Sequence, residues 1–450
     1  MASTRQFSSA TLLSDVVTQL RANVRPNSRV CIGLSGGRDS SVLLHLVVRA
    51  REDLAIRVGA IHVNHQISPN ANSWAENCIE LCAQLDVPLQ IERVSVARDT
   101  GKGLEASARD ARYAAFAKAD ADAILLGHHR DDQAETVLLQ ALRGTGLKGI
   151  SAMPLAKPFR VDKQIIRPLL DVAPQILADY AQANHLAWIH DESNDDTRYR
   201  RNYIRHDILP RLAERIPQSI ESLVRLAQHA AQAQLLLDDL ARIDGANVLV
   251  GDRLNLPRLL SLPDPRAKNL LRHRFAKQSI PSPNAVQLNE ILSQLAARQS
   301  DAQTEITWAN WRLRCYQDEI YLAPKVTAAK MNWCIEWDHK SELLLPEFCG
   351  VLRFEKTIGA GIAESRLAGK KLTVRSRVGG EKLRLSFARP RRSLKNLLQE
   401  AKAPPWRREI MPLLFCDETL IWAPGIGADI AYVARENEPG LSISWHAEIN

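Results

Sequence analysis

The sequence predicts an α/β fold: a doubly wound parallel sheet near the amino end, followed by a mostly helical middle domain and a small basic α+β domain. Short apolar runs alternate with helical stretches up to about residue 126, which is typical of βαβ units. Beyond about residue 215 the chain becomes rich in Ala, Gln and Leu. The segment 370–408 then carries 13 Lys or Arg against two acidic residues.

The spacing of apolar residues predicts the elements of the amino-terminal region. An amphipathic helix over residues 10–25 precedes a buried strand at 30–34 and an apolar helix at 41–48. Further strands are predicted at 56–63, 89–94 and 123–126, and further helices at 74–85, 104–119 and 174–184. Because ligands of such sheets collect where parallel strands end, we expect the functional site at that edge.

Composition divides the remainder of the chain. Helices are predicted at 218–241, 267–275 and 284–298, and short strands at 305–308, 311–316 and 319–322. The predicted domains are residues 1–215, 216–325 and 331–450, with residues 323–330 as a linker. Three domains agree with a length of 450 residues, at roughly 100–200 residues each.

The loop after the first strand reads Ser35-Gly36-Gly37-Arg38-Asp39-Ser40. Paired glycines let successive N–H groups point at one anion, and the following helix adds its positive end. Asp39 fits beside an anion only if a cation such as Mg²⁺ lies between them. An ordinary strand-to-helix turn is the alternative, which the Asp-Ser pair at the helix start disfavours.

Two further polar clusters lie at strand ends: 62–65 ends the second predicted strand, and 127–136 directly follows the strand 123–126. Three such clusters on one edge favour an active site. In the cluster 127–136 a transition-metal site is disfavoured, because adjacent side chains at a strand end diverge and His pairs at i, i+4 spacing are missing. Asp132 and Glu135 lie on one helical face and fit an ammonium group or Mg²⁺. N-capping by Asp131 with a solvated Glu135 is the alternative.

Two later stretches also carry charge. Residues 142–150 hold three glycines with Arg143 and Lys148, which indicates either an anion-facing loop or a helix C-cap and turn. Residues 190–205 change from acidic to basic. They form either a surface loop and helix entrance or a substrate-lining segment, because buried anionic substrates need arginine partners.

Bulk properties limit the classes of protein. The net charge of +8 favours an anionic partner such as nucleic acid. Seven scattered cysteines favour a reducing compartment, hence the cytoplasm, and C-x₃-C at Cys78 and Cys82 is interpreted as core packing. No apolar run reaches about 18 residues, so we expect no membrane partner. The sequence leaves a homodimer open.

The first loop resembles the PP-loop signature S-G-G-x-D-S of the ATP pyrophosphatases. Residues 25–210 also contain, in this order, the motifs H-V-N-H, G-H-H-x-D-D-Q-x-E-T, R-G-x-G-x-x-G, R-P-L-L and D-x-S-N with R-N-x-x-R. With these motifs the region resembles the tRNA(Ile)-lysidine synthetases. This resemblance implies a ligase that joins L-lysine to C2 of the wobble cytidine, position 34, of tRNA(Ile) with a CAU anticodon. ATP adenylates the C2 oxygen and loses pyrophosphate, and the lysine amine then displaces AMP.

The same resemblance implies roles for individual residues. Asp132 and Glu135 would hold the lysine, Asp39 the Mg²⁺-pyrophosphate, and Arg201 or Arg205 the nucleotide or lysine neighbourhood. Because lysine binds as an ammonium but attacks as a free amine, we also expect the carboxylate pair to accept its proton. The predicted catalytic residues are Asp39, Asp132, Glu135 and Arg201. The predicted ATP-binding residues are Ser35, Gly36, Gly37, Arg38, Asp39, Ser40, Arg112 and His128. The predicted tRNA- or lysine-binding residues are Asp132, Glu135, Arg143, Asn194, Arg205, Arg375, Arg377, Arg391, Arg392 and Lys395.

The basic carboxyl-terminal region, with V-R-x-R-x-G-G-E and P-P-W-x-R, is similar to the tRNA-gripping domain of the same family, although residues 385–388 depart from its pattern. Two alternatives are weighed. A tRNA thiolase would need C-x-x-C pairs, which this sequence lacks. A catalytically idle tRNA-binding protein would not need the intact Asp39, Asp132 and Glu135.

Overall fold

The structure, a computed structural model, describes residues 11–96, 103–251, 253–298, 304–325, 333–345, 350–409 and 411–447. The chain divides into two compact units, residues 1–237 and 238–450. The division into three domains stays a prediction. Most of the predicted linker, as well as Cys349, lies outside the described residues. No helix in the described ranges has both the length and the apolar character that crossing a bilayer requires.

The first unit is built on a six-stranded sheet of order β3-β2-β1-β4-β6-β5, in which only β5 is antiparallel to its neighbour. Its strands are β1 Arg29–Gly33, β2 Arg57–Asn64, β3 Leu89–Arg93, β4 Ala123–Leu125, β5 Ala156–Arg160 and β6 Lys163–Ile166. Its helices are α1 Leu12–Asn23, α2 Arg38–Ala50, α3 Ala71–Gln84, α4 Leu104–Lys118, α5 Arg130–Leu142, α6 Leu147–Ile150 and α7 Pro174–Ala183.

Helices cover both faces of this sheet because its central strands are apolar on both sides. Val30 and Ile32 of β1 pack into the core formed with α1, α2 and α7, whereas Cys31 packs into the core formed with α4. A continuous apolar run of this kind is typical of a parallel strand buried on both faces. The predicted doubly wound α/β fold is confirmed.

After the sheet the chain is helical. A 3₁₀ turn Glu192–Asp195 leads into α8 Arg200–Tyr203, a π-helical turn Ile204–Ile208 and α9 Leu209–Arg215. The long helix α10 Ser219–Val248 then passes the point at which the two units divide. The π turn gives this segment an irregular backbone, and such turns are frequent at functional sites.

The second unit begins with helices packed against an antiparallel sheet of order β7-β8-β11-β10-β9. The elements are β7 Leu249–Val250, β8 Arg253–Asn255, α11 Leu256–Leu260, α12 Asp264–Lys277, α13 Ala285–Ala296, β9 Glu305–Trp308, β10 Trp311–Tyr316 and β11 Glu319–Pro324. Leu270, Leu271 and Phe275 of α12 are fully buried in the core of this region. The middle region is therefore helical with a sheet of its own.

The basic region contains two larger antiparallel sheets, of order β12-β16-β19-β20-β21 and β13-β14-β22-β15, and a β17-β18 hairpin. The strands are β12 Cys334–Glu336, β13 Glu342–Leu345, β14 Gly350–Ile358, β15 Ile362–Ala363, β16 Leu372–Arg375, β17 Lys382–Leu383, β18 Arg392–Ser393, β19 Leu413–Cys416, β20 Thr419–Ala423, β21 Gly427–Ala428 and β22 Pro439–Ala447. The helices are α14 Leu394–Glu400 and α15 Pro405–Glu409. Strands dominate this α+β region.

Candidate active site

Strand order brings the polar loops of the first unit to one edge. β1 lies between β2 and β4 in parallel register, so the segments that follow these strands emerge side by side. A Cβ atom added to Gly127, after β4, would lie 2.9 Å from the backbone oxygen of Asp39. Only a residue without a side chain allows this approach. The loop after β4 is therefore packed directly on the first turn of α2.

The loop 35–40 is shaped by its own hydroxyls. The Ser35 and Ser40 Oγ atoms lie 3.1 Å apart, Ser40 Oγ donates to the Gly37 carbonyl at 2.9 Å, and the Gly37 N–H donates to Ser35 Oγ at 3.3 Å. Gly36 has φ +85°, and a Cβ there would lie 2.7 Å from Ile189 Cδ1. The loop thus holds a conformation that requires glycine, at the positive amino end of a 13-residue helix.

Asp39 lies in the first turn of α2, between two cationic or polar partners. Arg38 Nε donates to its Oδ1 at 2.8 Å, and His129 Nε2 lies 3.6 Å from its Oδ2. Its side chain keeps 27% of its surface exposed, enough to meet a ligand from solvent. Among the described residues, no group of three or more His, Cys, Asp or Glu is arranged to hold a metal ion.

Next to this loop, two carboxylates of α5 are clamped by two arginines. Arg201 Nη2 and Arg205 Nη2 each lie 2.8 Å from Asp132 Oδ1. Arg201 Nε donates to Glu135 Oε2 at 2.8 Å, and Arg205 Nε donates to Glu135 Oε1 at 2.5 Å. The Asp132 and Glu135 side chains are 9% and 1% exposed, against 25% and 33% for the arginines. The guanidinium groups therefore form the outer surface of this four-residue cluster.

The electrostatics of this cluster argue against one predicted role. Burial alone would raise the pKa of Asp132, but His129, Arg201 and the other nearby basic groups together outweigh burial, so the pKa of Asp132 lies well below its usual range. A carboxylate with a depressed pKa is a poor proton acceptor. The expectation that Asp132 takes the proton of the lysine amine therefore conflicts with its surroundings. Its role in holding the lysine stays a prediction.

His128 and His129 face different surroundings. Burial lowers the pKa of His128 to about 3, so this imidazole is neutral near pH 7, and its Nδ1 is buried without a hydrogen-bond partner among the described residues. His129 N–H donates to Asp132 Oδ2 at 2.9 Å and caps α5. Through its ring, 3.6 Å from Asp39 and 3.7 Å from Asp132, His129 connects the loop to the carboxylate cluster.

Other predicted residues have different positions. In the H-V-N-H segment, His62 Nδ1 lies 2.9 Å from the Leu34 carbonyl, and Asn64 holds the turn that follows β2. Both side chains are buried, so they fix the backbone. Arg112 lies on α4, close enough to Arg201 for that positive charge to help lower its pKa, after burial and Arg109. Arg143 is the exposed C-cap of α5, which favours the C-cap interpretation of its segment, and Asn194 is exposed in the 3₁₀ turn.

Most of the predicted basic residues of the second unit form ion pairs. Arg375 pairs with Glu418 at 2.8 Å and Arg392 with Glu400 at 2.8 Å. Arg377 Nε lies 3.5 Å from Glu381, and Arg391 Nη2 lies 3.3 Å from Asp429, which is fully buried. Lys395 is exposed. The positive charge of this region is thus partly used to stabilise its own fold, and Arg391 is the clearest case.

Sequence reasoning missed two residues that shape the site: Ile189, which closes on Gly36, and His129 as a bridge. It also missed the burial of Arg167, which is 1% exposed. No local pattern indicates Ile189, because it is distant from Gly36 in the sequence. The motif R-P-L-L marks Arg167 in the sequence, yet nothing local indicates that its guanidinium is buried.

A parallel sheet that carries a glycine-paired loop between its first strand and the following helix defines a nucleotide-binding enzyme of the PP-loop class. The PP-loop domain model matches residues 10–212, the TilS substrate binding domain 254–321 and the TilS substrate C-terminal domain 372–445. The tRNA(Ile)-lysidine synthase of Nitrosomonas europaea is 42% identical over 100% of this chain and 99% of its own length. That of Coxiella burnetii is 36% identical over 94% and 93%. The chain belongs to the tRNA(Ile)-lysidine synthase family and is an ATP-using ligase.

Among solved structures, a U34-tRNA thiolase from Methanococcus maripaludis is 20% identical and covers 49% of this chain and 78% of its own, with a TM-score of 0.42. A match this distant says nothing about function. Burial raises the pKa of Cys31 and Cys78 to about 12, so neither thiol is activated as a nucleophile near pH 7. Of the described cysteines only Cys334 is exposed. The thiolase alternative is therefore not favoured.

Proposed function

We propose that this protein ligates L-lysine to C2 of the wobble cytidine of tRNA(Ile) with a CAU anticodon, releasing AMP and pyrophosphate. One observation carries the proposal. His129 lies within 3.7 Å of both Asp39, at the phosphate-cradling loop, and Asp132, in the carboxylate–arginine cluster. Two reaction steps that share one intermediate need adjacent groups of this kind.

In the first step the cytidine C2 oxygen attacks the α-phosphate of ATP, and the bond to pyrophosphate breaks. The N–H groups and hydroxyls of Ser35–Ser40 and the amino end of α2 hold the β,γ-phosphates and stabilise the charge on the leaving group. ATP arrives with Mg²⁺, which usually takes one or two carboxylates besides phosphate and water. Asp39, whose side chain is 27% exposed, would offer one carboxylate to the ion. When bound, Mg²⁺ would neutralise part of the charge on the phosphates.

In the second step the lysine amine attacks C2 as a free base, and the C2–O bond to AMP breaks. The amine binds as an ammonium, so it must lose a proton before it attacks. We propose that Asp132 and Glu135 position this amine. An ammonium that approaches them meets Arg201 and Arg205 first, and the nearby positive charge favours loss of its proton. Asp132→Asn is expected to raise the KM for lysine more than the KM for ATP.

The RNA-binding part of the proposal rests on charge. The exposed Lys395 and the arginines of the basic region are proposed to contact tRNA phosphates, since such contacts come mostly from Lys and Arg. A cytoplasmic location is proposed because the described cysteines are free thiols. We keep the homodimer as an open prediction, which sedimentation at assay concentrations would test.

Pyrophosphate release from ATP tests the proposal. Incubation with tRNA(Ile) and lysine is expected to release pyrophosphate and consume lysine in equal amounts. An idle tRNA-binding protein would release none. Incorporation of sulfur from a sulfur donor, without consumption of lysine, would overturn the proposal.

A further inference from the structure

Basic side chains surround Tyr113, which lies on α4. Arg109 Nη2 donates to the Tyr113 hydroxyl at 3.0 Å, and its guanidinium carbon lies 4.8 Å from the ring centre. Lys157 Nζ, from β5, lies 5.6 Å from the same ring centre. Arg167 interacts with the Tyr113 hydroxyl. We call Arg109, Tyr113, Lys157 and Arg167 the Tyr113 cluster.

Lys157 and Arg167 carry positive charges that no described carboxylate offsets. Burial lowers the pKa of both Lys157 and Arg167, and the positive charge of Arg109 lowers both further. Among the described residues that act on Lys157 and Arg167, Tyr113 raises both pKa values, and no carboxylate raises either of them. Glu105 acts instead on the neighbouring Arg112. Three like charges held close together indicate a site that an anion completes.

Arg167 adds an independent observation. It is 1% exposed, and its Nη1 donates to the Pro154 carbonyl at 2.9 Å. Its Nε is buried and has no hydrogen-bond partner among the described residues. A buried guanidinium N–H without an acceptor is costly, so an oxyanion oxygen suits it. Arg109 is exposed, so the outer side of the cluster meets solvent.

The cluster is separate from the phosphate cradle. Arg167 directly follows β6, and the sheet order β1-β4-β6 places β6 two strands away from the cradle at the end of β1. At a strand spacing of about 4.8 Å, the two positions are roughly 10 Å apart. The Tyr113 cluster and the loop 35–40 therefore lie after different strands, and the KM for ATP in the test below decides whether they share a ligand.

We propose that the Tyr113 cluster binds a backbone phosphate of the RNA substrate, next to the nucleotide that is modified. This inference rests on the proposed function, because it takes the anion to belong to RNA. Lysine, arginine and tyrosine side chains are common donors to RNA and DNA phosphates. A phosphate bound at this edge of the sheet fixes the strand on which the target base lies, so the cluster positions the base.

The test uses the full-length protein and three neutral variants. Arg109→Gln and Lys157→Gln each remove one charge, and the double variant removes both while leaving the buried Arg167 in place. Lys118→Gln, at the exposed far end of α4, is the matched control. We expect the double variant to bind tRNA(Ile) about 10-fold more weakly, since one charge-assisted contact is lost. The slope of log affinity against log salt should fall by about 0.7.

The KM values for ATP and lysine, together with the melting temperature, identify the anion. The KM values for ATP and lysine and the melting temperature of the double variant should match those of Lys118→Gln. Equal tRNA affinity and salt slope in the double variant and in Lys118→Gln would overturn the inference. So would a rise in the KM for lysine alone, because the anion would then be the amino-acid carboxylate. Since tRNA binding is measured without turnover, a wild-type protein that makes no lysidine would defeat the proposed function but not this comparison.

Discussion

Glu135→Gln probes the carboxylate–arginine cluster most sharply. Glu135 is 1% exposed and accepts hydrogen bonds from both Arg201 and Arg205. Neutralising one partner of a buried ion pair costs about 3–5 kcal/mol. Because the two arginines are 25% and 33% exposed, water recovers part of that cost, and we expect a loss of about 2 kcal/mol.

For a unit of this size a loss of 2 kcal/mol lowers the melting temperature by roughly 4–8 °C. Differential scanning calorimetry of the full chain measures it. Glu221→Gln is the matched control, since Glu221 pairs with Arg130 at 2.7 Å but is 41% exposed, and such pairs contribute about 0–1 kcal/mol. Equal melting temperatures for the two variants would refute the view that the cluster is a buried electrostatic unit.

Three further predictions concern the cradle, the acid dependence and the basic region. Gly36→Ala forces a side chain into φ +85° and against Ile189, so the KM for ATP in pyrophosphate release should rise by at least roughly 10-fold; an unchanged KM would contradict the cradle. The lowered pKa of Asp132 stabilises the fold above its ordinary value of about 4, and this stability is lost as pH falls toward the folded pKa. The gap in melting temperature between wild type and Asp132→Asn should therefore narrow from pH 7 to pH 3, and a constant gap would contradict the shift. Lys382→Gln with Lys395→Gln should weaken tRNA binding and its salt slope without loss of stability, whereas Arg391→Gln, which breaks the pair with buried Asp429, should also lower the melting temperature.

Local patterns were enough to predict the first four strands of the central sheet. The strands β1–β4 and helices α1–α4 lie near their predicted bounds. The apolar residues whose spacing predicted them are the residues that are buried. The β5–β6 hairpin was missed. Its strands carry Lys and Arg, and its turn, with the fully exposed Val161, lacks the Asn-Gly or Gly-rich signal of a tight hairpin.

The candidate site likewise has a part that local sequence predicts and a part that it does not. The loop 35–40 and the shared face of Asp132 and Glu135 depend on residues close in sequence, so spacing alone predicted them. The arginines that pair with those carboxylates lie about 70 positions further along the chain, and Ile189 is distant from Gly36 in the sequence. Such contacts depend on how the segment after α7 folds back on the sheet, which no local pattern specifies.

The central claim is that loop 35–40 delivers adenylate to RNA so that lysine can be attached. Mass spectrometry of tRNA(Ile) nucleosides after incubation with ATP and isotope-labelled lysine tests it most directly, with Asp39→Ala alongside the wild type. We predict labelled lysidine in place of the wobble cytidine for the wild type, and unmodified cytidine for Asp39→Ala at nearly unchanged tRNA affinity. An unmodified wobble cytidine in the wild-type reaction would contradict the account.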